Sequence, residues 1–112
     1  MTFTSLKNDG WELESAVQRN SEHPDKFEVP SIEELQQLQI GSLVKLLFLF
    51  WEHDKPEENM ISCERMWVTI QSINEHVISG QLENEPKTSK VLKPLDKINF
   101  SSEHICSIYE NT

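Results

Sequence analysis

Glycine is scarce in this chain. Its 112 residues include three, Gly10, Gly41 and Gly80, so no glycine-rich loop is available to cradle phosphate, and nucleotide binding by a P-loop or a dinucleotide-binding turn is excluded. Cysteine is scarcer still. Cys63 and Cys106 show no CxxC or CxxxC spacing and would pair only if the fold brought their Cα atoms within about 7 Å, so two free thiols are expected. Basic residues are few. Ten against nineteen acidic residues give a formal charge of -9, a field that repels phosphate backbones and anionic membranes, so neither nucleic acid nor membrane is an expected partner. Long apolar runs are missing as well. The longest, Leu46 to Trp51, is far too short to span a bilayer, and the start Met-Thr-Phe-Thr-Ser-Leu-Lys lacks the basic region and apolar stretch of a secretory signal. A soluble, cytoplasmic protein is the expectation.

Four histidines, His23, His53, His76 and His104, are present beside the two cysteines, but only His104-x-Cys106 is closely spaced. A structural zinc site needs a second close pair, so no metal or other cofactor is expected. A nucleophilic role for Cys63 is disfavoured because the neighbouring Glu64 opposes a low thiol pKa. No catalytic residue is assigned, and the reading leans away from an enzyme.

The stretch Glu64–Pro86 reads as a β-hairpin. Met66, Val68 and Ile70 alternate with Trp67, Thr69 and Gln71, and Ile78, Gly80 and Leu82 with Val77, Ser79 and Gln81, with Asn74-Glu75 at the turn. Leu43–Trp51, with Lys45 as its only charge, reads as a central strand buried on both faces or against a helix. The clearest helix is 31–39. Ser31 and Glu34 have capping-box spacing, Ile32, Leu35 and Leu38 form an apolar stripe, and Gly41 is expected to end it as a left-handed cap. Trp11, Leu13, Ala16 and Val17 fit a short N-terminal helix and also an extended arm; helix is the reading adopted. Phe27 and Val29 form a short extended piece, 53–62 an exposed acidic loop, 97–100 a strand, 101–104 a tight helical turn and 105–109 a closing strand. One echo joins distant parts. Leu38-Gln39-Ile40-Gly41-Ser42 and Leu92-Lys93-Pro94-Leu95-Asp96 each place a leucine and a turn ahead of an alternating strand, a unit that recurs in small barrels.

Together these elements predict a single α+β domain over 1–112, with an N-terminal arm at 1–23 and a core at 24–109. The core is a strongly curved, mostly antiparallel sheet of about five strands, open or partly closed into a small barrel, with the 31–39 helix packed on it. For binding, Glu64, Arg65, Trp67 and Asn84 are the candidates. Arg65 is one of only two arginines and stands beside Trp67, where a planar guanidinium can meet a carboxylate or stack on a ring. The bland alternative is an internal ion pair for Arg65, packing for Trp67 and a turn-shaping role for Asn84. Trp51, Met60 and Ile61 are candidates for an apolar partner patch.

Several ordered blocks resemble the uncharacterised bacterial family known as domain of unknown function 2314. They are Pro30-Ser31-x-x-Glu34, Leu38-x-x-Gly41-Ser42-x-Val44-Lys45-Leu46-x-Phe48, Glu64-Arg65-Met66-Trp67-Val68, Gly80-x-Leu82-x-Asn84-x-Pro86 and Ile98-x-Phe100-x-x-Glu103-His104-Ile105, spanning about 24–109. Where that family tends to show Gly-Asp before its last strands, this chain has Gly41-Ser42 and Leu95-Asp96. The resemblance implies no catalytic residue, because the family has no agreed activity. The function expected is a non-enzymatic bacterial protein-interaction module whose acidic surface suits a basic partner; the alternative is a small-molecule-binding domain or minor enzyme with a pocket near Arg65, Trp67 and Asn84.

Overall fold

The computed structural model describes residues 3–110, and its sheet is built outward from the apolar run Leu43–Trp51. That run is β2. The other strands are β1 (Trp11–Leu13), β3 (Ile61–Ile73), β4 (Ile78–Leu82), β5 (Lys97–Phe100) and β6 (Ile105–Ile108). They lie in the order β1-β2-β3-β4-β5, and β6 returns to pair with β2. Every pairing is antiparallel. β1 runs beside Phe48–Phe50 and β6 beside Val44–Leu46, so the two share one side of β2 end to end while β3 takes the other. The sheet curls into a half-barrel.

Alternation explains the core. Val44, Leu46, Phe48 and Phe50 of β2 point to the concave face and meet Met66, Val68, Ile70, Leu82, Ile98, Phe100 and Ile105, all buried. Trp11 and Leu13 belong to the same cluster, and Trp11 lies 5.8 Å from Phe48 between ring centroids. On the outer face Leu47 is buried under Ala16 and Phe27, with Val29 and Cys106 alongside. β2 is therefore covered on both faces at its middle.

The N-terminal stretch is not one helix. Trp11–Leu13 is an edge strand, and a helix begins only at Ala16, where the Ser15 hydroxyl accepts the Gln18 N–H at 3.1 Å. Of the helices, α1 is Leu6–Asp9, α2 Ala16–Glu22 and α3 Ile32–Gln36. The capping box at α3 is present in both directions, Glu34 N–H to Ser31 Oγ at 3.1 Å and Ser31 N–H to Glu34 Oε1 at 3.0 Å. The helix is shorter than the apolar stripe predicts. Ile32 is 70% exposed, Leu35 and Leu38 are half-buried against the core, and the chain leaves helical geometry after Gln37. Gly41 does take a left-handed conformation, φ +96°, but in the turn that feeds β2 rather than as the helix cap.

Strand β3 carries one extra residue. Ile70 faces Gly80 while Ser72 faces Ser79, so Gln71 forms a bulge that increases local twist. Gly80 has no room for a side chain: a Cβ there would lie 2.5 Å from Val68 Cγ1 and 2.6 Å from the Thr69 carbonyl oxygen. The absent side chain lets β4 close onto β3 beside the Gln71 bulge.

Candidate functional site

The four residues singled out from sequence do not form one cluster. Glu64 has the parity of Met66 and Arg65 that of Trp67, so the two neighbours project from opposite faces of β3. The Glu64 carboxylate accepts the Lys87 N–H at 2.9 and 3.1 Å, the Thr88 N–H at 3.2 Å and the Thr88 hydroxyl at 3.0 Å. It fastens the 85–93 loop to the strand. Asn84 acts similarly at the end of the hairpin, where its Oδ1 accepts the Trp67 N–H at 2.7 Å and the neighbouring Glu83 N–H donates to the Trp67 carbonyl at 2.9 Å. Trp67 packs edge-on against Tyr109 with centroids 6.0 Å apart.

Arg65 lies on the outer face. Its guanidinium carbon is 5.3 Å from the centre of the Phe27 ring, and Arg19 approaches the same ring at 5.2 Å. Lys45, one strand over, places its ammonium 4.6 Å from the centre of Trp67. Arg19 also pairs with Glu14 at 3.3 Å, whereas among the described residues neither Arg65 nor Lys45 has a carboxylate within ion-pair distance. Between them opens a polar concavity of about 400 Å³, lined also by Ser107 and Cys106 of β6 and by the 25–28 segment. Cys106 feels this setting: burial pushes its thiol up, while the charges of Arg65 and Lys45 pull it down.

A second feature lies at the end of β2. The 52–60 loop holds three non-glycine residues at positive φ, His53 (+56°), Asp54 (+59°) and Asn59 (+54°). Such backbone persists only where its surroundings over-determine it. Here Asp54 accepts the Ser89 hydroxyl and, at 2.8 Å, the Lys90 N–H. Asp54 and Glu64 together hold the 85–93 loop, and a cavity of about 630 Å³ lies between that loop and His53-Asp54. Beside it is a smaller apolar groove of about 340 Å³ lined by Leu6, Trp51, Pro56 and Val91. Trp51 is fixed there by its indole N–H, which donates to the Leu6 carbonyl at 3.1 Å. Ile61 stands opposite Trp51 in register and is 52% exposed; Met60 is 55% exposed. Of the patch read from sequence, Met60 and Ile61 face water and Trp51 is half-buried.

The family model described as "uncharacterized protein conserved in bacteria (DUF2314)" matches residues 12–109. The chain belongs to the DUF2314 family. The match begins inside β1, ahead of the block where the sequence resemblance starts, so the family's domain includes the edge strand and α2. No curated protein and no solved structure matches the chain. The DUF2314 match attaches no reaction or partner to these residues.

In this DUF2314 chain no three His, Cys, Asp or Glu side chains among the described residues are grouped to hold a metal ion, and no helix is long and apolar enough to cross a membrane. Both cysteines are free. Cys63 is exposed beside Glu14 and Arg19, each 3.8 Å from its sulfur, and desolvation together with the Glu14 charge pushes its thiol up. That is a poor nucleophile. His104 is buried. Its Nδ1 accepts the Ser101 N–H at 3.0 Å, which requires that nitrogen to be unprotonated, and burial pushes its pKa down. Lys45 and Ser107 escaped the sequence-based selection of site residues. The available signal was Lys45 itself, a lone charge in an otherwise apolar strand.

Proposed function

We propose that the protein is a non-enzymatic binding module of the bacterial cytoplasm, whose partner is a protein with a basic surface and whose contact is the 52–61 loop. The observation that carries this reading is the pair Met60 and Ile61, more than half exposed at the end of a loop held in a strained conformation. Around them the loop supplies Glu52, Asp54, Glu57 and Glu58 against Lys55 alone. An apolar centre with a charged surround is the usual anatomy of a protein interface. The Asp54 clamp adds pre-organisation, because a loop already fixed loses less freedom on binding. The acids favour a basic partner and reject an acidic one.

Affinity capture from the bacterial host tests the reading. Wild type is compared with Met60→Ser/Ile61→Ser and with Glu57→Lys/Glu58→Lys, each first shown to keep wild-type circular dichroism and melting temperature. One basic protein held by wild type, weakened in both variants and released by salt is the expected result. Equal recovery by all three, or recovery of nothing specific, removes the proposal.

A further inference from the structure

We propose that the outer face of the sheet carries an oxyanion-binding site formed by Arg65, Lys45 and Ser107, suited to a phosphate or phosphate monoester. It is independent of the 52–61 contact. Three observations carry it. First, the two cations are positioned without being neutralised: Arg65 rests over Phe27 and Lys45 over Trp67 at 5.3 and 4.6 Å, and neither has an ion-pair partner among the described residues. An aromatic face steadies a cation through its quadrupole and leaves the full charge available. Second, both line one concavity of about 400 Å³, and Ser107, directly opposite Lys45 in the β2–β6 register, contributes a hydroxyl donor. Third, Lys26, Lys45 and Arg65 line it against two carboxylates, Asp25 and Glu28, a locally positive spot in a chain of formal charge -9.

The ligand class follows from the donors. A guanidinium fork engages two oxygens of a tetrahedral anion, an ammonium supplies a point charge, and together they match a dianion better than a single carboxylate. Asp25 and Glu28 line the same concavity from an exposed segment and oppose any anion. Removing their charge must therefore tighten binding, a sign that a purely structural role for Arg65 and Lys45 does not produce. Cys106 is a built-in reporter. An anion that neutralises Arg65 and Lys45 removes the charges that lower its thiol pKa, so alkylation of Cys106 slows when the site fills.

The test is a titration with inorganic phosphate, phosphoserine and acetate at constant ionic strength, followed by amide chemical shifts and by the alkylation rate of Cys106 in a Cys63→Ser background. Saturable shifts confined to the strands around Lys45, Arg65 and Ser107 are expected, with acetate weaker. Phosphoserine binding more tightly than phosphate identifies a monoester as the better ligand; equal affinity identifies the free anion. Arg65→Gln or Lys45→Gln weakens binding about tenfold each, the effect of one lost charge-assisted hydrogen bond, and Asp25→Asn/Glu28→Gln strengthens it. Shifts that never saturate, that appear equally at Lys87, Lys90 and Lys93, or that survive in both the Arg65 and Lys45 variants overturn the site. Should either of those variants fail to fold, an unchanged affinity in Asp25→Asn/Glu28→Gln overturns it alone.

Discussion

Replacing Leu95 by glycine should stabilise the protein, although it deletes a large apolar side chain. Leu95 has φ +79° and is 68% exposed, so its side chain contributes little burial while its Cβ opposes the backbone. A left-handed conformation costs an L-residue about 1–2 kcal/mol, and glycine removes that cost. Glycine's greater freedom in the unfolded chain takes back about 0.5–1 kcal/mol. The balance is a gain of about 0.5–1 kcal/mol, which for a domain of this size raises Tm by about 2–4 °C. The reciprocal change is a control. Gly41 occupies the equivalent turn at φ +96°, and a Cβ there would meet nothing within 4 Å, so Gly41→Ala isolates the conformational term and should lose a similar amount. Urea unfolding at constant m-value measures both. A Leu95→Gly variant less stable than wild type, or a neutral Gly41→Ala, refutes the reasoning.

Gly80→Ala should cost about 1–3 kcal/mol through overpacking, and Val68→Ala should rescue it only in part, because the Thr69 carbonyl remains 2.6 Å from the new Cβ; full rescue in a urea double-mutant cycle would show that only the side chain matters. His104 makes the fold acid-sensitive. Its folded pKa lies below the ordinary 6.5, so the unfolded chain binds the proton more readily and stability is complete above pH 6.5 and falls as pH drops below it. His104→Gln should flatten thermal-melt midpoints measured between pH 7.5 and 5, a window above the one in which Glu34 and Asp96, both held low by hydrogen bonds to Ser31 and Lys93, lose their contributions. Glu64→Gln should cost about 1–3 kcal/mol by setting an amide donor against the donors at Lys87 and Thr88, and hydrogen exchange at those two amides should accelerate before that of β3.

Local pattern and long-range pairing divide what the sequence discloses. The hairpin, the two-faced strand β2 and the Ser31–Glu34 box were legible because each is set by residues within one turn or one alternation. One helix through Trp11, Leu13, Ala16 and Val17 does not form because a two-residue period at Trp11 and Leu13 abuts a helical one at Ala16; Ser15, a good N-cap, marks the boundary. Parity alone separates Glu64 from Arg65. The meeting of Arg65 with Lys45 and Ser107 was not legible, since it depends on the β2–β3 register and on β6 returning to β2 across some sixty residues. Asn84 reads from sequence as a binding residue or a turn-shaper, and its hydrogen bond to the Trp67 backbone appears only once β4's exit is placed.

The echo between 38–42 and 92–96 is a geometric identity, and it accounts for how the half-barrel is held. Ser42 N–H donates to the Gln39 carbonyl at 2.9 Å and Asp96 N–H to that of Lys93 at 3.2 Å; the Ser42 and Asp96 side chains accept the N–H of the same residues, at 3.1 and 3.0 Å. Gly41 N–H then reaches the Ile70 carbonyl and Leu95 N–H the Leu82 carbonyl, while the Ser42 and Asp96 carbonyls accept Ile70 and Leu82 N–H in return. Each turn thus docks the start of one strand onto the end of its neighbour, β2 onto β3 and β5 onto β4. Both use a left-handed residue to do so, and that requirement, not the residue type, is what the two stretches share. The 38–42 turn fixes β2 against β3 while β6 pairs along the other side of β2, so Lys45 stands on backbone paired on both sides, Arg65 on backbone paired with β2, and the spacing of their Cα positions is set by the β2–β3 register.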